Sequence, residues 1–214
     1  MLTLEQQKIC WRPAEDIPTE WAFSEKRIST IFEYDPNIFK DKTIVDMGCG
    51  QGTGTRLIQR HGAKEVIGLD ANQDVVRIAR KTMSVVHPED IGSELNIGTI
   101  QYINGVMYET SFDNNSIDGI TCIETIEHND VDEFEMSLKE WYRILKPGGF
   151  VWLTTPLKRF EKYEFPNGNG DHWIEYSWEE VRNMVSKFKF KISWEKDVRV
   201  DMVSLGMLLT KQPN

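Results

Sequence analysis

Cysteine is scarce in this chain. Only Cys10, Cys49 and Cys122 occur in 214 residues, and no two share a C-x-x-C spacing. A disulfide framework is thereby excluded, and a reducing cytoplasm is the expected compartment. Long apolar runs are missing too. No segment approaches the roughly 18 residues of a membrane-spanning helix, and the N-terminus has no signal-peptide pattern, so neither insertion nor export is expected. Positive charge is in deficit: 25 Lys and Arg against 34 Asp and Glu give a formal charge of −9, spread along the chain. A chain of that sign is poorly suited to neutralising phosphates, which disfavours general nucleic-acid binding, a local basic groove aside, and favours small-molecule partners. There is no internal repeat and no low-complexity tract. With 40% hydrophobic and 28% charged residues, the length suits one domain with a sizeable core, with or without a small cap.

What is present alternates. Residues 1–41 hold Trp11, Trp21, Phe23, Ile28, Ile31 and Phe32, interrupted by Pro13, Pro18 and Pro36. They read as an N-terminal helical cap segment in which Ser24 to Phe32 forms a short amphipathic helix. From Lys42 onward the pattern predicts strand 43–46, helix 53–61, strand 65–70, helix 73–84, and strands 99–103 and 117–122. Helix 131–144 and strand 149–154 follow. Strands and helices in alternation imply a parallel sheet covered on both faces. Lys146-Pro147-Gly148-Gly149 reads as a breaker between the last helix and strand 149–154. Two further runs, near 188–195 and 203–210, have no helix read between them and are expected to pair as an antiparallel hairpin.

The chemistry is concentrated at Val45-Asp46-Met47-Gly48-Cys49-Gly50-Gln51-Gly52. An apolar run ends in an acid and then in glycines at alternate positions. About twenty residues on, Val66 to Leu69 ends in Asp70. A strand feeding a glycine-rich turn and a helix brings bare backbone N–H groups to a ligand, and an acid closing the next strand is placed for ribose hydroxyls. A dinucleotide fingerprint requires glycines at positions 1, 3 and 6. Counting from Gly48 the sixth residue is Thr53, and from Gly50 it is Thr55. The spacing is instead 1, 3, 5, which needs no pyrophosphate and leaves room for an amino-acid moiety.

These residues resemble the first motif of the class I S-adenosylmethionine-dependent methyltransferases, an acid followed by x-Gly-x-Gly-x-Gly. The resemblance extends in order through Asn104 to Met107, Phe112 to Cys122, and Leu145-Lys146-Pro147-Gly148-Gly149-Phe150. It implies an α/β fold: a Rossmann-like three-layer sandwich whose mostly parallel seven-stranded sheet ends in a C-terminal antiparallel strand, within a domain at 42–214. It also implies S-adenosyl-L-methionine as cofactor. Backbone around Gly48 and Gly50, with Asp46 nearby, would hold the methionine end. Asp70, with Ala71 beside it, would hold the ribose, and Val106 and Met107 the adenine; Cys49, Gly52 and Ile123 are expected at the cofactor as well. Many members carry an Asp where this chain has Val106.

The end of the fourth strand carries Glu124-Thr125-Ile126-Glu127-His128. His128 is the candidate general base, because histidine ordinarily titrates near neutrality, with Glu127 beside it. The competing reading makes Glu127 and Asp130 to Asp132 first-turn acids of the following helix and His128 a capping residue. Asp171-His172-Trp173, after Asn167 to Gly170, reads either as an acceptor lid with His172 catalytic or as a solvent loop anchored by Trp173. Glu124, Glu127, His128 and His172 also resemble the metal-binding pattern of small-RNA terminal 2′-O-methyltransferases. Similar segments occur in methyltransferases acting on quinone precursors and sugars, so a divalent metal is not favoured and no ligand is assigned to one. The leading expectation is methyl transfer to an oxygen of a small molecule. The alternatives are a metal-dependent RNA 2′-O-methyltransferase, an NAD-binding oxidoreductase, and a non-catalytic nucleoside-binding module.

Overall fold

Strands that are apolar on both faces are stable only inside a sheet covered on both sides. β1 (Thr43–Met47), β2 (Glu65–Asp70) and β4 (Ile117–Ile123) are of this kind. In the computed structural model, which describes residues 24–82, 98–158, 174–199 and 203–213, they form the centre of a seven-stranded sheet. β3 (Thr99–Asn104) lies at one edge and β5 (Leu145–Pro156) beyond β4. The hairpin of β6 (Phe190–Arg199) and β7 (Val203–Lys211) closes the other side. The order is β3-β2-β1-β4-β5-β7-β6. Pairing is parallel from β3 to β5, and β7 is antiparallel to both β5 and β6. Strand order reverses between β1 and β4, where an open α/β sheet presents a crevice at its carboxyl ends.

Alternation along each strand divides the core into two faces. Val45, Met47, Ile67, Leu69, Val151 and Leu153 share one cluster with Phe134, Leu138 and Trp141 of the helix α3 (Val131–Ile144) and with Val181 and Val185. The intervening Ile44, Val66, Phe150 and Trp152 share the other. There they meet Leu57 and Ile58 of α1 (Thr53–Arg60) and Ile28, Ile31, Ile38 and Phe39 of the N-terminal segment. α2 (Gln73–Thr82) packs Val76 and Ala79 against Tyr102 and Cys49. Residues 24–29 are helical and run into a 3-10 turn at Thr30–Glu33, so the expected helix forms with a tightened end. The Trp152 indole N–H donates to the Arg27 carbonyl at 3.1 Å and fixes this segment on the sheet. Residues 1–23 of the expected cap lie outside the described residues. Among those described, no helix is long and apolar enough to cross a membrane.

Two readings are corrected. Lys146 to Gly149 is not a turn ahead of a strand. β5 begins at Leu145, directly after α3, pairs Leu145 with Ile117, and resumes with Phe150 opposite Gly119. Lys146 to Gly149 therefore stand opposite Asp118 alone, a bulge that the left-handed Gly148 (φ +77°) permits. The Lys211 ammonium donates to the Leu145 carbonyl and the Asn115 amide oxygen, both at 2.7 Å, and anchors the bulge. The second correction is a helix, α4 (Trp178–Ser186), which precedes the hairpin. Ser177-x-x-Glu180 forms a reciprocal capping box at its start, a signal available in the sequence.

Gly119 faces the Phe150 ring. A Cβ there would lie 2.4 Å from the ring and 2.9 Å from Ile44 Cδ1. Gly119→Ala is expected to lower stability by about 1–3 kcal/mol through overpacking, read as a reduced urea midpoint with an unchanged slope.

Candidate functional site

The chain leaving β1 turns into α1 through Gly48 (φ +73°), Gly50 (φ +52°) and Gly52 (φ +82°), all in the region that disfavours L side chains. The N–H groups of Gly48 and Cys49 donate to the Leu69 carbonyl at 2.8 and 3.0 Å, binding the loop to β2. The Asp70 carboxylate accepts from Gly50 N–H at 2.9 Å and from Asn72 N–H at 2.8 Å. Burial pushes its pKa up, against the pull of these two bonds. The Asn104 amide donates to the carbonyls of Asp70 and Ala71, both at 2.9 Å, so the ends of β2 and β3 are joined.

Asp46 lies beneath the loop. Its Oδ2 accepts from the Thr55 hydroxyl of α1 at 2.7 Å and its Oδ1 from the Thr121 hydroxyl of β4 at 2.8 Å. Burial raises its pKa from 3.8 to about 6; the two hydroxyls oppose that shift and Asp70 adds to it.

Above these residues is a cavity of about 280 Å³. Its polar wall holds Asp46, Gly48, Cys49, Gly50, Asp70 and Ala71, and Val106, Met107 and Ile123 supply apolar wall. Gly52, expected with them, stands outside the lining. A Cβ on it would fall 2.2 Å from the Tyr102 hydroxyl, so its glycine answers to the turn and to that close packing. The N-terminal segment contributes Ser24, Arg27 and Ile28, which sequence reasoning missed. They precede the glycine loop by about twenty residues, and only tertiary packing brings them there.

Thr125, His128, Asn129 and Glu124 also line it. Glu127 does not. Residues Ile126–His128 form a 3-10 turn, whose threefold repeat sends neighbouring side chains about 120° apart. His128 faces the cavity while Glu127 is fully buried, accepting from the Thr155 hydroxyl at 2.9 Å. Burial first, then the charge of Glu124, holds the Glu127 carboxyl well above the usual range. His172 lies outside the described residues. The three described members of the metal-like set diverge, Glu124 towards Arg27 and Ser204, Glu127 towards Thr155 and His128 into the cavity. Among the described residues, no group of three or more His, Cys, Asp or Glu could hold a metal ion.

Residues 45–153, half of the chain, match the model of a methyltransferase domain family. The chain belongs to that family. It is an S-adenosylmethionine-dependent methyltransferase domain, and the NAD-dependent alternative falls with this assignment. A sterol 24-C-methyltransferase from Kluyveromyces lactis is 30% identical over 176 residues, covering 77% of this chain and 44% of that protein. A ubiquinone biosynthesis O-methyltransferase from Aliivibrio fischeri is 25% identical over 181 residues, covering 74% of this chain and 72% of that one. The chain thus spans less than half the length of the sterol enzyme. Among solved structures, an S-adenosylmethionine-dependent methyltransferase from Methanosarcina mazei superposes with a TM-score of 0.69 at 17% identity, over 82% of this chain and 94% of that one. Magnesium protoporphyrin IX methyltransferase from Synechocystis PCC 6803, solved with S-adenosylmethionine, gives 0.65 at 12% identity, over 97% and 90%. These two show the shared fold.

The raised pKa of Asp46 makes methyltransferase stability pH-dependent. The folded state holds this proton more tightly than the unfolded chain. The group's contribution is therefore complete below about pH 4 and is lost as pH rises through about 6. In urea melts of the unliganded protein, Asp46→Asn is expected to remove up to about 3 kcal/mol of the loss of stability between pH 4 and pH 7. Identical pH dependence in both proteins would contradict it.

Proposed function

We propose that this methyltransferase transfers the methyl group of S-adenosylmethionine to an oxygen of a small molecule, with His128 as general base. The observation that carries the reading is that His128 lines the same cavity as the glycine loop and Asp70. The cavity residues fit the cofactor by chemistry. Backbone around Gly48 and Gly50, with Asp46 behind it, suits an amino-acid end carrying an ammonium group. Asp70 and Ala71 suit ribose hydroxyls, while Val106, Met107 and Ile123 suit an adenine face. The cofactor supplies a methyl group on a positively charged sulfur.

The remaining chemistry belongs to the chain. The role of the cavity walls would be to hold an acceptor oxygen in line for displacement at the methyl group. As the O–CH₃ bond forms and the S–CH₃ bond breaks, the imidazole of His128 takes the hydroxyl proton. The cofactor would keep the electrons of the bond it gives up, and His128 would pass the proton on to solvent. Ser24, Arg27 and Ile28 in the cavity wall support a cap role for the described part of the N-terminal segment, residues 24–41, on the domain at 42–214. Ile174 N–H donates to the Glu127 carbonyl at 3.1 Å, tying that residue to the His128 turn. The acidic balance of the chain favours a small acceptor over nucleic acid.

Calorimetry with S-adenosylhomocysteine tests the cofactor residues. Asp70→Ala is expected to weaken binding by about 1.5–3 kcal/mol for each charge-assisted hydrogen bond lost. An unchanged dissociation constant would remove Asp70 from the site. His128→Ala is expected to lower turnover by about 10²–10⁴ with S-adenosylhomocysteine affinity retained. Wild-type turnover in that variant would exclude His128 as the base.

A further inference from the structure

Asn104 stands where two parts of the cavity wall meet. It closes β3 and pairs with Asp70, the last residue of β2, in the final rung of their parallel ladder. Beyond that rung the two chains part. β2 continues through Ala71 and Asn72 into α2, and β3 continues into residues 105–108. Both continuations line the cavity, the first with Asp70, Ala71 and Asn72, the second with Gly105, Val106, Met107 and Tyr108. These are the walls assigned above to ribose and to base. Asn104 itself is exposed and stands outside the lining.

The wall after β3 is a unit of its own. An isolated antiparallel bridge between Val106 and Glu109 folds that stretch back on itself. Hydrogen bonds then attach it to the end of β2. Gly105 N–H donates to the Asp70 carbonyl at 3.0 Å, and the Asn104 amide nitrogen donates to the carbonyls of Asp70 and Ala71, both at 2.9 Å. A primary amide carries two N–H groups, and here two successive carbonyls take them. The bond to Ala71 reaches one residue past the last rung. The side chain thus extends the ladder where the diverging backbones no longer pair.

The consequence is one of spacing. Ribose and base are joined by a single covalent bond, so a nucleoside gains from both walls only where their separation matches it. Recognition groups must be held to within about 0.5 Å, and the hydrogen bonds behind them are what holds them. Where such bonds are missing, binding has to supply the ordering, and affinity falls. We infer that Asn104 is a positioning residue for the nucleoside half of the cofactor, setting the separation of the Asp70–Ala71 wall from the Val106–Met107 wall. The inference rests on the assignment of those walls under the proposed function.

Two substitutions separate the amide donors from the bulk of the side chain. Asn104→Leu keeps the size and removes both donors, and Asn104→Ala removes donors and bulk together. Calorimetry measures the dissociation constants of S-adenosylhomocysteine and of 5′-methylthioadenosine, which has the ribose and base without the amino-acid end. Both variants are expected to weaken both ligands by the same factor, about three- to tenfold, the range set by a neutral hydrogen bond. The urea midpoint of the unliganded protein should change little, because the side chain is exposed. Amide hydrogen exchange at Gly105 should quicken as the strand ends loosen. A lowered midpoint with unchanged affinities would make Asn104 a folding residue only and overturns the inference. So does wild-type affinity in Asn104→Leu, a loss for S-adenosylhomocysteine that methylthioadenosine does not share, or a wild type that binds no methylthioadenosine. Asp70→Ala reads the underlying assignment separately. Unchanged affinities in that variant remove the ribose wall and the inference with it, whereas weakened binding there beside wild-type affinity in Asn104→Leu removes the role of Asn104 alone.

Discussion

The chain must leave the end of β1 and begin α1 against the same sheet within five residues, Gly48 to Gly52. Left-handed backbone at three of the five makes that reversal possible. An L side chain at each of these positions would cost about 1–2 kcal/mol before any clash. Clashes would follow as well, since Thr125 lies 2.2 Å from where a Cβ of Gly48 would be, and Tyr102 equally close to that of Gly52. The bare backbone is thus packed from two sides, by a residue just beyond β4 and by one of β3. The loop's path also sets the start of α1, which brings Thr55 to Asp46. Asp70 completes the arrangement by holding Gly50 N–H. Cavity floor, helix start and the ends of four strands therefore depend on one reversal.

Much of this was legible because it follows from period and spacing. Val45, Met47, Ile67 and Leu69 alternate with Ile44 and Val66, and that alternation marks strands buried on both faces. The 1-3-5 glycines and Asp70 locate the cavity, and nine of the ten residues expected at the cofactor line it. What escaped was of a different kind. Pro147-Gly148-Gly149 carries the signature of a turn, and only the pairing of Leu145 with Ile117 and Phe150 with Gly119 shows that the strand continues around it. α4 is short and its apolar face weak, although its Ser177–Glu180 box was there to be seen. Glu124 and Glu127 looked alike in sequence. Their divergence comes from a left-handed residue followed by a 3-10 turn, and nothing in the residue types announces either. Arg27 reaches the site through packing of Ile28 and Ile31 on the sheet, a tertiary event with no local motif.

The four acids around the cavity illustrate how burial sorts carboxylates into different states. Glu127 faces the core with one hydroxyl donor and is pushed towards the neutral form, chiefly by desolvation. Glu124, three residues earlier, has a cation at 3.6 Å and a serine hydroxyl. Its charge adds to the burial that raises the Glu127 pKa. Of the two, the one lining the cavity is the one paired with a cation.

Asp46 and Asp70 are a second such pair, and they bear on the bound state. Both are buried, both have raised pKa values, and Asp70 contributes to the shift of Asp46. Without a cation nearby, ionising both is costly near neutral pH. A ligand carrying an ammonium group and a sulfonium reverses that balance. In the proposed cofactor complex it would favour ionised Asp46, so binding near pH 6 would release protons. S-adenosylhomocysteine keeps the ammonium but has lost the sulfonium charge. In the proposed reaction, any part of that effect that comes from sulfur would therefore end with methyl transfer.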